Sequence, residues 1–267
     1  GWERAGHAHD PTESRVVPGT TRDSSVGDDD AVPEGDAIED LGGGLSNQTF
    51  LVTAGSRRCV LKIDPEPRGK PFNTRHDEAR IQRTAHAAGL SPAVLYADER
   101  CYLTKYVDGV VLSPEGLRSR DMLQRLGRVL RKLHALPRSG RTFDARGAAR
   151  TYADDIKACE PAEVQARVAI IDSVPLSVEP CLCHNDLVAA NIIDSGELMF
   201  LDWEYACDND PLFDLATLVA HHELDEAQTD ALLSAYFDGE WHTRRSELKR
   251  QVINYKALLW LWKAARA

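Results

Sequence analysis

One short stretch, "CLCHNDLVAANIIDSGELMFLDWEYACDND" (residues 181–210), crowds acids and amides among apolar runs. Asp186 supplies a carboxylate that can orient an attacking hydroxyl and accept its proton. Asn191, five residues on, offers an amide oxygen, and Asp202 offers a carboxylate beyond the apolar run at 198–201. Both are hard oxygen donors of the kind magnesium takes. A base beside two such ligands suits phosphoryl transfer to a hydroxyl, where positioning and charge neutralisation do most of the work. The competing reading is a surface hairpin with ordinary turn acids. The apolar runs predict two short strands, so the stretch is expected to form a catalytic loop, two strands and a metal-binding turn. Asn191 and Asp202 then stand at opposite ends of one hairpin. Cys181 and Cys183 share one face of a strand, which favours packing over metal binding.

A second set of residues suits the phosphates themselves. "LGGGLSNQTFLV" places Gly42, Gly43 and Gly44 at a turn between strands, where glycine lets backbone N–H groups approach phosphate oxygens. Ser46 and Asn47 could add side-chain donors. No G-K-[ST] follows, so this is not a Walker A loop. Lys62 in "CVLKI" is the lone cation of an apolar strand, costly to bury unless paired. Glu78 is the preferred partner, because the helix face carrying Glu78, Ile81 and Ala85 should look inward. Asp77 competes, turned about 100° round the helix. A strand-edge lysine facing solvent is the competing reading. Backbone groups from Thr104 to Tyr106, in "YLTKYVDGVVL", are expected behind an adenine ring.

The elements that must hold these residues can be read from the patterning. Residues 1–34 are rich in Asp, Ser, Gly and Pro and predict an acidic tail without order. Strands follow at "AIEDL", "NQTFLVTAG" and "RRCVLKIDP", the last ended by Asp64-Pro65. "NTRHDEARIQRTAHAAGL" predicts a helix, with Asn73 or Thr74 as N-cap and Gly89 as its stop. "AVLYAD" and "CYLTKYV" predict two more strands. From about Asp108 the texture is helical. Met122, Leu123, Leu126, Val129, Leu130 and Leu133 recur at three and four, giving one apolar face. Helices are also expected over 145–173, broken at Pro161, and in three runs after the chemical stretch. The outline is an α+β chain: a small β-rich lobe over 35–107, a larger mainly helical lobe over 108–267, and a cleft between them.

Composition narrows the partners. A net charge of −10, from 42 acidic and 32 basic residues, lacks the basic footprint nucleic acid requires. An acidic cleft would instead attract a small cation. No apolar run is long enough to span a membrane, and the N-terminal residues lack the pattern of a signal peptide. The six cysteines contain no C-x-x-C pair, so reduced thiols in the cytoplasm are the economical expectation. Oligomeric state leaves no trace in the sequence.

Together these residues resemble the aminoglycoside phosphotransferase and choline kinase superfamily, from about Gly42 to Trp262. "GGGLSNQTF", "CHNDLVAAN" and "FLDWEYACDNDPLFDLA" look most like bacterial choline/ethanolamine kinases, and "HND" in place of "HGD" favours that branch. The resemblance implies a protein-kinase-like two-lobe fold, ATP and Mg2+ as cofactors, and choline or ethanolamine as acceptor. It implies Asp186 as base, Asn191 and Asp202 as magnesium ligands, and Lys62 held by Glu78 on the ATP phosphates. His184 and Asp214 would support the loop. Tyr205, with Glu204 beside it, would face the acceptor. The family's late helix commonly carries two tryptophans three apart. Here Trp260 and Trp262 are two apart, about 200° round a helix, so only one can face a pocket. Trp262 shares the stripe of Val252, Tyr255 and Leu259 and is the expected one. A core role for both tryptophans remains the alternative. Thiamine kinases, which share the "DWEYA" run, and aminoglycoside phosphotransferases are alternative identities. For a polyamine acceptor, the acids at Asp208 and Asp210 would count. A nucleotide-binding regulatory protein without catalysis is the alternative of another class.

Overall fold

Strand-forming, β-branched runs fill the first part of the chain, and the computed structural model describes residues 36–42, 47–68, 73–177, 179–238 and 241–267. The expected tail over 1–34, and Gly43, Gly44 and Ser46, lie outside the described residues. β1 (Ala37–Asp40), β2 (Gln48–Ala54) and β3 (Arg57–Ile63) lead into helix α1 (Arg75–Ala87), followed by β4 (Val94–Ala97) and β5 (Cys101–Lys105). The five strands make one antiparallel sheet in the order β1-β2-β3-β5-β4. β3 lies at its centre, so Lys62 is placed opposite Tyr102 of β5 and Thr49 of β2 rather than on a sheet edge. Thr74 caps α1 by accepting the Asp77 N–H, and Gly89 takes φ +74° just past its end. Asn73, the other expected cap, instead donates from Nδ2 to the carbonyls of Trp203 and Ala206.

The remainder is mainly helical. β6 (Val110–Val111), α2 (Pro114–Leu117), α3 (Arg120–His134), α4 (Ala145–Asp155) and α5 (Pro161–Ser173) precede β7 (Cys181–Cys183). β8 (Ile192–Asp194), β9 (Leu198–Phe200) and β10 (Cys207–Asn209) follow, then α6 (Pro211–His221), α7 (Glu226–Phe237) and α8 (Arg245–Ala264). Pro161 opens α5 at the position where its missing N–H costs nothing. Leu123, Leu126, Leu130 and Leu133 of α3 are all fully buried, as their spacing requires. They join Phe200, Trp203 and Leu232 in the main core. A second core gathers Tyr152, Val164, Val168, Ile171 and Leu261 between α4, α5 and α8. Among the described residues, no helix is long and apolar enough to cross a membrane.

Candidate active site

The hairpin β8–β9 and the loop before it carry the chemistry. β8 and β9 are antiparallel, so the chain ends of the hairpin lie side by side: the Leu201 N–H donates to the Asn191 carbonyl at 2.8 Å. Asn191 and Asp202 are therefore neighbours at the open end, not at opposite ends of the hairpin as the sequence predicts, because antiparallel pairing brings the two chain ends together. Asp202 has φ +59° and Asn185 φ +65°. Asp and Asn tolerate this left-handed region better than other residues bearing a side chain.

The loop is held from below. Asp214, in the first turn of α6, accepts the backbone N–H groups of His184 at 2.8 Å and Asn185 at 2.7 Å. The buried His184 ring bonds the Leu201 carbonyl through Nε2 at 2.8 Å and meets Trp203 edge-on. Burial lowers its pKa and keeps it neutral. Asn185 donates to the Tyr205 carbonyl at 3.0 Å and accepts from Asn209 at 2.8 Å, which ties the loop to the segment after β9.

Above these supports stands Asp186. Asn191 Nδ2 donates to its Oδ2 at 2.9 Å and to its carbonyl at 3.0 Å. Burial, then repulsion from Asp202, pushes the Asp186 carboxyl up to about 7. The Lys62 ammonium sits 2.8 Å from Asp202 Oδ1. Burial works against both charges, but the attraction between them prevails, so Lys62 is raised and Asp202 lowered from their ordinary values. The donor set suits a hard cation. Asn191 turns its amide nitrogen to Asp186, and no hydrogen bond among the described residues engages its Oδ1. Asp202 adds a carboxylate, so these two residues could hold magnesium.

Beside Asp186 a cavity of about 340 Å³ opens, walled by Phe143, Tyr152, Tyr205, Phe213, Tyr255 and Trp262. Asn47, Asn185, Asp202, Glu204, Lys263 and Arg266 give it polar edges. Glu204 is buried, and its Oε2 accepts from Arg68 Nη1 at 2.6 Å. Burial, then repulsion from Asp202, pushes its carboxyl up to about 7. Burial, followed by the nearby Tyr152 and Glu204, raises the Tyr205 hydroxyl well above its ordinary value.

Residues 37–247 match a family described as "Phosphotransferase enzyme family". The chain belongs to that family. Protein LicA of Haemophilus influenzae is 30% identical over 207 residues, covering 73% of this chain and 61% of that protein. The match thus spans less than two thirds of that relative's length. A solved choline/ethanolamine kinase family protein from Mesorhizobium loti is 31% identical, with a TM-score of 0.64 over 85% of this chain and 78% of that one. The choline kinase LicA of Streptococcus pneumoniae shares the fold, with a TM-score of 0.73 over 88% of this chain and 86% of that one at 22% identity. The two-lobe, protein-kinase-like α+β architecture is that of these phosphotransferases.

Within this family architecture the structure brings together Asp186, Asn191, Asp202, Lys62, Asn47, Glu204, Tyr205 and Trp262. It separates one expected pair. Lys62 and Glu78 form no ion pair: Lys62 reaches Asp202, and Glu78 is paired with Arg75 at 2.8 Å and Arg68 at 3.7 Å. The buried Glu78 Oε1 has no hydrogen-bond partner, and its charge still acts on Lys62. The competing Asp77 turns away, to Arg141 at 2.8 Å and to Arg80. The linker also differs in detail. The N–H groups of Lys105 and Tyr106 donate to the Ala93 and Arg58 carbonyls, so they are engaged by the sheet, and Arg58 covers the Tyr106 ring. Thr104 pairs with Val60 and Val94 inside the sheet.

Two acids move from acceptor to scaffold. Asp208 is fully buried and accepts the N–H groups of Ser139 at 2.6 Å and Gly140 at 3.0 Å. Asp210 caps α6 through the Leu212 N–H and accepts from Gln251. Neither lines the cavity, so the broad acidic surface a polyamine acceptor would use is not built from them. Trp260 stacks with Arg167 while Trp262 lines the cavity, the division the helical spacing required. Sequence reasoning missed Arg68, Arg75, Tyr152, Phe143 and Arg266. Arg75 had a signal, three residues before Glu78 in one helical turn; Tyr152 and Arg266 lie in or beside expected helices whose facing the sequence did not reveal, and Arg68 and Phe143 fall in stretches without periodicity or motif.

Proposed function

We propose that this chain is an ATP- and magnesium-dependent kinase that phosphorylates the hydroxyl of a small cationic alcohol, choline or ethanolamine. The observation that carries the reading is the single cavity in which Asp186 meets an aromatic wall and the Glu204 carboxylate. Aromatic faces and a carboxylate are what an onium group seeks. Residues 35–107 would form the ATP-binding lobe and 108–267 the catalytic and acceptor lobe.

Asp186 orients the acceptor hydroxyl and takes its proton as its oxygen bonds to the γ-phosphorus of ATP and the bond from that phosphorus to the departing ADP oxygen breaks. Its raised pKa brings the base near neutrality, where proton acceptance is effective. Asn191 steers that carboxylate through its amide nitrogen. Asn191 and Asp202 would hold magnesium, which when bound neutralises phosphate charge. Lys62, paired with Asp202 Oδ1, would then also face the phosphates, with the unpartnered Glu78 oxygen in reach of its charge. Glu204 and the rings of Tyr205 and Trp262 fix the acceptor's cation. Binding and orientation supply most of the rate.

The test is purified protein with ATP, magnesium and a panel of choline, ethanolamine, thiamine and an aminoglycoside, read as ADP formed. Turnover is expected with choline or ethanolamine. Asp186→Asn should lower kcat by about 10²–10⁴-fold. ATP binding without turnover across the panel would sink the reading in favour of a regulatory nucleotide-binding protein.

A further inference from the structure

A cation already stands at the edge of the aromatic cavity. Arg266, just past the end of α8, places its guanidinium carbon 4.3 Å from the Trp262 ring centre and 5.7 Å from that of Tyr152. Both rings wall the cavity that contains Asp186. This is the distance at which a cation gains from an aromatic face. Arg266 is exposed and weakly held. Its Nη1 donates to the Trp262 carbonyl at 3.1 Å, and it makes no ion pair among the described residues. Lys263, one turn earlier, lines the same cavity and adds a second positive charge at this edge.

We propose that Arg266 is a specificity-determining residue of the acceptor cavity: its guanidinium occupies the face of Trp262 and Tyr152, so that a cationic acceptor must displace it. This rests on the reading that the acceptor is a cationic alcohol. The displacement falls unequally on different acceptors. A quaternary ammonium donates no N–H bonds and depends on aromatic faces. A primary ammonium can instead donate to the Glu204 carboxylate deeper in the cavity. Arg266 therefore biases the site away from quaternary and toward primary ammonium alcohols.

Arg266→Gln removes the charge and keeps much of the chain's length and polarity. Tetramethylammonium should bind this variant about three- to thirtyfold more tightly than wild type, measured calorimetrically without nucleotide. The KM for choline should fall by a similar factor, with the change in KM rather than kcat, and the KM for ethanolamine should fall less. Arg266→Lys should keep the wild-type preference. Equal tetramethylammonium affinity in Arg266→Gln and wild type would overturn the proposal, whatever the acceptor panel returns. Tighter tetramethylammonium binding without turnover of any cationic alcohol would sink the kinase reading and leave the role of Arg266 standing.

Discussion

Asn185 shows how one residue can satisfy a backbone and a network together. Its φ of +65° is a conformation glycine adopts freely. Asparagine adopts it too, and adds bonds to Tyr205 and Asn209. Asn185→Gly should keep the loop shape and lose those bonds and the longer ones to Cys207 at 3.4 Å, at about 1–2 kcal/mol. Asn185→Ala loses the bonds and adds left-handed strain of about 1–2 kcal/mol, so its denaturation midpoint should fall below that of the glycine variant. A reversed order would show that position 185 does not demand the left-handed turn. The neighbouring Asp186 gives a pH prediction. Its carboxyl is raised to about 7, so the proposed base is protonated and inactive below that pH. With choline, whose charge is fixed, kcat/KM should fall as pH drops through about 7. Glu204 is raised into the same range, and Glu204→Gln separates the two: the acid limb should persist in that variant if it belongs to Asp186.

Helix α3 illustrates what patterning can and cannot reveal among elements. The leucine spacing announces a buried face, and the structure buries it. The spacing does not say that Gly127 lies where α7 crosses closest. A Cβ at Gly127 would stand 2.6 Å from the Leu232 carbonyl and 2.9 Å from the Ala235 Cβ. Backbone cannot yield as a flexible side chain would. Gly127→Ala should therefore destabilise by about 1–3 kcal/mol despite alanine's better helix propensity. A thermal midpoint equal to or above wild type would show that α3 and α7 separate without cost. The hairpin was similarly half legible. Its apolar runs marked β8 and β9, while the side-by-side placement of Asn191 and Asp202 needed the register. Lys62 was legible as a cation in need of a partner because it stood alone among apolar residues. Its partner was not, since Asp202 lies 140 positions away in the sequence and Glu78 only 16. Long-range pairing leaves no periodic trace.

At the scale of the whole molecule, the sheet-rich and helical parts are joined by a buried charge network. Arg75 binds Asp64 and Glu78, all three essentially without solvent access. Arg68 joins Asp64 at 2.8 Å and reaches across to Glu204 at 2.6 Å. The Asn73 N–H donates to the Glu204 carbonyl at 2.8 Å, reinforcing the same crossing. Arg68 also stands 3.7 Å from Glu78, so the acid that lines the cavity and an acid whose charge acts on Lys62 share one guanidinium, and under the proposed function this would couple the two substrates' sites. Removing a partner from such a network leaves carboxylates buried without compensation, which costs about 3–5 kcal/mol. Arg68→Ala should lower stability by this order and raise the KM values for ATP and acceptor together. Glu204→Gln should raise the KM for the acceptor most and that for ATP less, through Arg68 and Lys62. A double-mutant cycle between Arg68 and Glu204, read by denaturant unfolding, should give a coupling of about 1 kcal/mol or more. Additive effects would mean that the crossing contact carries no energy, and that the two sites communicate by another route or not at all.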